Sequence, residues 1–337
     1  MTFGYYPLMS VAQAHEAHAK ARSQLEQGED PGNTLKTTRQ AERQALTVAV
    51  LVETYIEHYA KPNKRSWKKD AYMLKKDILP HWSSLKAKTI TRRDVNALLD
   101  KIVERGATIH TNRVFAVIHK MFNYAISRGE LTVNPCAGIA KPFAERQRDR
   151  VFSEAELCDF WQGLDSAAMT DGVKLALKLI LLTAQRKGEV IKARWENIDL
   201  ETCWWHIPAS ITKNKQSHRV YLSPAAMSIL TEAKNLSAQS EWVFPSPRSG
   251  QSLGDTALNH ALVRNLKHLK IEDATVHDLR RTAASHMTAI QIPRLVVSKI
   301  LNHAEHSVTA IYDRYSYDEE KQKALTQWAE KLTALVA

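Results

Sequence analysis

The sequence predicts a mainly α protein: a helical bundle followed by a mostly helical α+β domain with a small antiparallel sheet. Three observations carry this. Apolar residues recur at helical spacing, behind capping motifs, through residues 46–140. Two short runs rich in aromatic and β-branched residues, Cys203-Trp-Trp-His-Ile207 and His218-Arg-Val-Tyr-Leu222, read as strands. Helical patterning then resumes at Pro224 and continues to the end of the chain.

Each element follows from a local signal. Ser10-Val-Ala-Gln13 is a capping box opening a helix that ends at Gly28, and Glu29-Asp-Pro-Gly32 breaks the chain. Residues 33–45 are polar and charged, as a linker is. In the bundle, Thr47 caps a helix carrying Val48, Leu51, Val52, Tyr55 and Ile56. Ser66 begins a second helix, with Trp67, Ala71, Leu74 and Ile78 along one side. Thr91-Arg-Arg-Asp94 is a capping box before Val95, Leu98, Leu99, Ile102 and Val103, and Gly106 stops that helix. A fourth carries Val114, Val117, Ile118, Met121, Phe122 and Ala125 as far as Gly129, and Asn134-Pro135 closes the module. Four helices with short connections make a compact bundle. Residues 141–150 form a basic linker. In the last segment, 151–337, Ser153-Glu-Ala-Glu156 caps a helix and residues 173–183 are a strongly apolar one.

At 337 residues the chain is long enough for two or three domains, each with its own core. A net charge of +11 favours a polyanionic partner. Cys136, Cys158 and Cys203 lie far apart with no C-x-x-C pair, which fits a reducing compartment. With no apolar run long enough for a membrane span and no signal pattern, a soluble intracellular protein is expected. Residues 46–140 hold about sixteen Lys and Arg against about eight Asp and Glu, so this module supplies most of the excess charge. Its densest stretch is Lys61-Pro-Asn-Lys64-Arg65-Ser-Trp67-Lys68-Lys69, followed by Lys75 and Lys76. Basic residues around an aromatic and a helix N-terminus suit contact with a phosphate backbone. A solvated helix face is the plainer reading of any single lysine. The candidate DNA-binding residues are Lys61, Lys64, Arg65, Trp67, Lys68, Lys69, Lys75, Arg92, Arg93 and Arg113.

The residues with the most chemistry form an ordered set: Arg186, Lys213, His277-x-x-Arg280, His303 and Tyr312. They suit a phosphodiester attacked by a phenolic oxygen. Such a reaction needs the charge on phosphorus neutralised, and the rigid guanidinium fork matches phosphate oxygens. It also needs the phenol, whose ordinary pKa is about 10, to lose its proton. Glu189 lies one helical turn beyond Arg186 and can orient it. Thr275 and Asp278 make a capping box that places His277 and Arg280 on the first turns of a helix, aimed outward at a ready anion site. Lys213 and Lys215 both sit between the two strands, and Tyr315 and Tyr317 both lie close to Tyr312. His303-x-x-His306 hints at zinc, but no third ligand stands at a fitting spacing, so no metal is expected.

In order and spacing these motifs resemble those of the tyrosine recombinases (phage integrases), and in particular the integrases of P4-like prophages and genomic islands. Leu182-Thr-Ala-Gln-Arg186-Lys-Gly-Glu189 resembles the first arginine box, with Ala184 where the family often has glycine. His277-Asp-Leu-Arg280-Arg-Thr resembles the second box. Leu301-Asn-His303 resembles the family's L-G-H, with Asn302 for glycine, and Tyr312 stands at the nucleophile's separation from it. The resemblance runs from about Leu46 to Trp328. It implies that Arg280 and Arg186 hold the phosphate and that His277 hydrogen-bonds it or takes the phenolic proton. It further implies that His303 donates a hydrogen bond and that Lys213, with Lys215 as fallback, protonates the 5′-oxygen. Tyr312 would form a covalent 3′-phosphotyrosine, so the bond energy is kept and neither ATP nor any other cofactor is needed.

By the same resemblance, residues 1–45 are the remnant of an N-terminal integrase domain plus linker, and residues 46–140 are the core-binding domain. Residues 151–337 are the catalytic domain with a C-terminal tail helix. That helix bears Leu325, Trp328, Leu332 and Leu335 on one stripe, and packs either on its own domain or on a neighbouring protomer. The implied partners are double-stranded DNA attachment sites, often within a tRNA gene, three further copies of the chain, and an excisionase or host DNA-bending protein. The implied setting is the bacterial cytoplasm and nucleoid. Two other readings share parts of this pattern: a type IB topoisomerase, and a DNA-binding protein without catalysis.

Overall fold

The computed structural model describes residues 2–28, 30, 33, 36, 45–145, 148–237, 239–303, 312–313 and 315–337. Most of the linker expected at 33–45, together with Arg146, His306 and Arg314, lies outside the described residues. The chain divides into two compact units, Met1–Gln147 and Arg148–Ala337.

In the first unit the capping signals at Ser10, Thr47 and Thr91 are made as hydrogen bonds, whereas Ser66 starts its helix without a side-chain cap. Helix α1 (Val11–Glu26) opens on the reciprocal Ser10–Gln13 box. Helix α2 (Val48–Tyr55) opens on Thr47, whose hydroxyl accepts from Val50 N at 3.3 Å. A π-helical turn, Ile56–Ala60, extends it. Helix α3 (Trp67–Met73) continues into a second such turn, Leu74–Ile78. Helix α4 (Arg92–Glu104) carries the Thr91–Asp94 box, and α5 (Thr108–Ser127) is the longest helix of the unit. Gly106 (φ 73°) and Gly129 (φ 75°) terminate α4 and α5 in the left-handed region, where a β-carbon is costly. The predicted apolar faces meet in one core containing Leu51, Tyr55, Ile78, Leu99, Ile118 and Phe122. Asn134 is buried and locks the closing turn. Its amide donates to His119 O (3.1 Å) and Asn123 Oδ1 (2.6 Å), while its Oδ1 accepts from Cys136 N (2.8 Å).

The second unit is built around helix α7 (Asp171–Thr183), in which Leu175, Ala176, Leu177, Leu179, Ile180, Leu181 and Leu182 are all buried. Before it lies α6 (Glu154–Ser166), opened by the Ser153–Glu156 box. After it come the short α8 (Lys187–Val190) and an antiparallel sheet of β1 (Ile198–Asp199), β2 (Trp204–Ile207) and β3 (His218–Tyr221) in the order β1-β2-β3. Trp205 faces Val220 and Ile207 faces His218 across the β2–β3 ladder. The two-residue β1, which pairs Ile198 with Trp205, is too short to have a pattern of its own and was not predicted. Helices α9 (Pro224–Ser237), α10 (Ala257–Asn265), α11 (Val276–Ala289), α12 (Arg294–Ile300) and α13 (Asp318–Val336) complete the unit.

The tail helix α13 packs on its own domain. Trp328 is fully buried, stacks on His286 (5.7 Å between ring centroids) and donates its indole N–H to Leu181 O at 2.9 Å. Among the described residues no helix is long and apolar enough to cross a membrane.

Candidate active site

The site begins where α7 ends. Ala184 takes up a left-handed backbone (φ 56°), which turns the chain sharply and lets Gln185 and Arg186 run beneath α12. Gln185 is fully buried and donates to Thr183 O (2.7 Å) and Ile300 O (3.1 Å). Arg186 then caps α8 with Glu189 as its partner. The Glu189 carboxylate accepts from Arg186 N at 3.0 Å and from Arg186 Nη1 at 2.9 Å, and is itself buried. The second guanidinium nitrogen, Nη2, donates to Asn302 O at 3.3 Å.

Arg280 comes from the first turns of α11, whose N-terminus is held by Asp278. That carboxylate is fully buried and accepts from Thr275 N and Oγ1 (both 2.8 Å), Arg148 Nε (2.8 Å) and Arg281 Nη1 (2.5 Å). Burial pushes its pKa up, but the bonds from Thr275 and Arg148 hold it below the ordinary carboxylate range. Arg280 lies deeper than the outward-facing position expected of it, at 3 % exposure. Its guanidinium turns inward and donates to Ala184 O (2.8 Å) and Leu301 O (2.6 Å). The turn ending α7 supplies one carbonyl and the turn ending α12 supplies the other, so this side chain joins three segments. Desolvation, and then the neighbouring Arg186, bring its pKa down to about 9, which still leaves it a cation at neutral pH.

His277 and His303 keep exposed edges beside Arg280. Partial desolvation and then the Arg280 charge lower the pKa of both imidazoles, so both are largely neutral at pH 7. Both line a cavity of about 430 Å³ with Arg280, Arg281, Ser285, Arg294 and Ser298. Three arginines, Arg280, Arg281 and Arg294, and two largely neutral imidazoles around one concavity form an anion site with a proton acceptor at its edge.

The hairpin loop at 208–217 reaches this site through Asn214. Its amide donates to Asn302 O (3.1 Å) and Asn302 Oδ1 (2.9 Å), and Asn302 Nδ2 donates to Gln216 O (3.2 Å). Asn302 is left-handed (φ 47°), so asparagine takes the backbone position that glycine fills in the L-G-H pattern. Lys213 and Lys215 are both exposed on this loop, one on either side of Asn214. Tyr312 is 80 % exposed. Its chain neighbour Asp313 accepts from Lys299 Nζ and Tyr317 Oη, both at 2.9 Å, so Tyr317 is engaged as a hydrogen-bond donor.

His218, which sequence reasoning passed over, lies at the same end of β3. Both its ring nitrogens are buried with no hydrogen-bond partner among the described residues. It lines a second cavity, of about 480 Å³, with His303, Asn302, Asp313, Tyr315 and Lys321. Burial, and then Lys321, Arg280 and Arg186, lower its pKa to about 3. A histidine inside a strand pattern gives no sequence signal of this kind.

In the first unit the predicted DNA-binding residues are exposed, apart from the half-buried Lys64 and Trp67. Several carry counter-ions. Lys61 pairs with Glu57 (2.5 Å) and lies 5.1 Å over the Trp67 ring, Lys64 pairs with Asp70, and Arg113 pairs with Glu145 (3.1 Å). Lys68 lies 5.8 Å from the same Trp67 ring.

The chain is similar to known integrases. Residues 151–319 match the phage integrase family and residues 48–142 match the phage integrase central domain. The prophage integrase IntA of Escherichia coli K12 is 26% identical over 348 residues, covering 99% of this chain and 82% of that protein. The integrase of enterobacteria phage P4 is 25% identical over 351 residues, covering 97% and 78%. A lambda integrase tetramer bound to a Holliday junction superposes with a TM-score of 0.68 at 18% identity, covering 88% of each chain. A Tn1549 transposon integrase in complex with transposon right end DNA gives 0.63 at 13% identity, covering 84% of this chain and all of that one. Spanned nearly end to end by these likenesses, the chain belongs to the phage integrase family and is a site-specific tyrosine recombinase, an enzyme that cleaves and rejoins DNA.

Proposed function

We propose that the chain integrates and excises a prophage or genomic island by attack of Tyr312 on a DNA phosphodiester. The observation that carries this is the convergence of the Arg186 and Arg280 guanidiniums on the turn that bears His303, beside the neutral imidazole of His277. The phenolic oxygen of Tyr312 bonds to phosphorus and the bond to the 5′-oxygen breaks, leaving a 3′-phosphotyrosine and a free 5′-hydroxyl. His277 accepts the phenolic proton, and Lys213 supplies one to the departing 5′-oxygen. Arg186, Arg280 and His303 bind the non-bridging oxygens, whose charge grows at the crowded phosphorus. Rejoining is the same path in reverse, with a 5′-hydroxyl from the partner strand as nucleophile.

The basic residues of the first unit, Lys61, Lys64, Arg65, Lys68, Lys69, Lys75, Arg92, Arg93 and Arg113, together with Trp67, would grip the backbone of the attachment site. Four protomers on two such sites would exchange strands in pairs, with an excisionase or host DNA-bending protein setting direction. The lambda and Tn1549 relatives were captured on DNA, one of them as a tetramer on a Holliday junction, which supports a DNA-bound assembly here.

The test uses suicide duplexes, nicked near candidate attachment sequences tiled across the DNA flanking the gene. Wild-type protein is expected to form a denaturant-resistant adduct that Tyr312→Phe does not form. An adduct that persists in Tyr312→Phe moves the nucleophile to Tyr315 or Tyr317. Tight binding with no adduct points instead to a DNA-binding protein without catalysis.

A further inference from the structure

Immediately after Tyr312, the chain is fastened twice. Asp313 receives the Lys299 ammonium and the Tyr317 hydroxyl on one carboxylate oxygen, each at 2.9 Å, and its other oxygen accepts from Tyr315 N at 3.3 Å. The Lys299 ammonium also sits 4.8 Å over the Tyr317 ring, and Tyr315 meets Tyr317 edge to face at 4.9 Å. Five residues on, Asp318 receives Arg219 Nη1 of β3 at 2.7 Å. Hydrogen bonds from Lys299 and then Tyr317 hold the Asp313 carboxyl below its ordinary range, so it is charged throughout the working pH range.

Lys299 is on the last turn of α12, and that helix leads directly into Leu301, Asn302 and His303. The carbonyls of Leu301 and Asn302 are the acceptors of Arg280 and Arg186. The path from the nucleophile's neighbour to the phosphate-binding arginines is therefore short: Asp313, Lys299, the end of α12, then the two guanidiniums. Lys299 and Asp313 keep side-chain exposures of only 22% and 20%, so this charged contact is largely shielded from solvent although the phenol beside it is exposed. The contact fixes where residue 312 begins.

We propose that Asp313, Lys299 and Tyr317 form a clasp that positions Tyr312 for in-line attack and registers it against the arginine site. They are positioning residues, because they act through Tyr312 rather than on the phosphate. The clasp rests on the reading of Tyr312 as nucleophile, and it ties the nucleophile's register to the same helix that presents His303. Misplacement of an attacking atom by about 1 Å is enough to slow a reaction as much as 100-fold, so loosening the clasp should slow chemistry and leave DNA affinity alone.

The experiment uses the full chain and the nicked duplex that yields the wild-type adduct. Asp313→Ala, Lys299→Met and the double variant are compared for single-turnover adduct formation and, separately, for equilibrium binding of the same duplex. The expected result is a loss of about tenfold in cleavage rate for each single variant, binding within twofold of wild type, and a double variant no slower than either single. The exchanged pair Asp313→Lys with Lys299→Asp should recover rate relative to either single exchange. Single variants that cleave at the wild-type rate, losses that multiply in the double variant, or binding that falls in step with cleavage would each overturn the clasp. Should Asp313→Ala not fold, Tyr317→Phe removes one hydroxyl from the same carboxylate and is read in the same way. Peptide mapping of the wild-type adduct separates the two levels. An adduct on a residue other than Tyr312 defeats the nucleophile assignment, whereas a Tyr312 adduct with unaffected variants defeats only the clasp.

Discussion

Asn214 donates its side-chain amide to both oxygens that Asn302 offers, the backbone carbonyl at 3.1 Å and Oδ1 at 2.9 Å. One pair of residues thus braces the lysine-bearing hairpin against the turn that carries His303. Asn302→Gly relieves a left-handed β-carbon but gives up the side-chain bonds to Asn214 and to Gln216 O while keeping the backbone carbonyl, and the two effects are each about 1 kcal/mol. Its stability should stay within about 1 kcal/mol of wild type. Asn302→Ala keeps the backbone cost and loses the same side-chain bonds, and should be less stable by about 1–3 kcal/mol. Both should cleave several-fold more slowly because the hairpin keeps only the bond to the backbone carbonyl of residue 302. Urea unfolding and single-turnover cleavage check the two parts independently.

Arg280→Lys keeps the charge and loses the fork. One ammonium cannot reach both Ala184 O and Leu301 O in the arginine's geometry, so a buried carbonyl goes unpaired at a cost of about 1–3 kcal/mol. Cleavage should drop by at least about 100-fold, the usual scale for removing a donor from a developing oxyanion. A lysine variant with wild-type stability and cleavage would mean that the paired carbonyls are incidental.

The hairpin carries two candidates for the proton donor, and a chemical substitution separates them. With sulfur in place of the bridging 5′-oxygen, the leaving group departs without a proton. Lys213→Ala should then regain cleavage on the sulfur duplex relative to the oxygen duplex, whereas Lys215→Ala should behave alike on both. The reverse pattern assigns the role to Lys215.

His218 gives the fold a pH dependence of definite sign. Its pKa is near 6.5 when unfolded and about 3 when folded, so in between the unfolded chain binds the extra proton. Stability from this residue is fully present above about pH 6.5 and is lost progressively as pH falls toward 3. Between pH 7.5 and pH 5, wild type should lose about 2 kcal/mol more than His218→Phe, because the carboxylate contributions cancel in the comparison. Equal losses in the two proteins would mean that this imidazole finds a proton-stabilising partner in the folded state.

What the sequence disclosed and what it concealed differ in range. The boxes at Ser10, Thr91, Ser153 and Thr275 are visible because each joins residues three apart, and all four are made in the structure. The apolar faces of α2 and α7 are visible for the same reason. Resemblance supplied Arg186, His277, Arg280 and His303, and the structure brings them together at one place. Nothing local announces that Asn214 will meet Asn302, that Arg280 will grip Ala184 O across 96 positions, or that Asp313 will hold Lys299. Those contacts exist only after α7, α11 and α12 have packed, so no spacing rule contains them. The depth of Arg280 was misjudged for a related reason: helical periodicity gives the side a residue faces, and only the neighbouring turns decide whether that side is covered.

The anchoring of Asp313 sets a limit on how far Tyr312, the proposed nucleophile, can wander. One peptide unit and a tyrosine side chain span about 10 Å, so the phenolic oxygen is confined to a sphere of about that radius around a fixed point. One hydroxyl in such a volume is an effective concentration on the order of 0.4 M. A free phenol would need to be that concentrated to visit the phosphate as often. The exposed tyrosine is thus less a loose residue than a tethered reagent, kept at high local concentration while the arginine site waits for DNA.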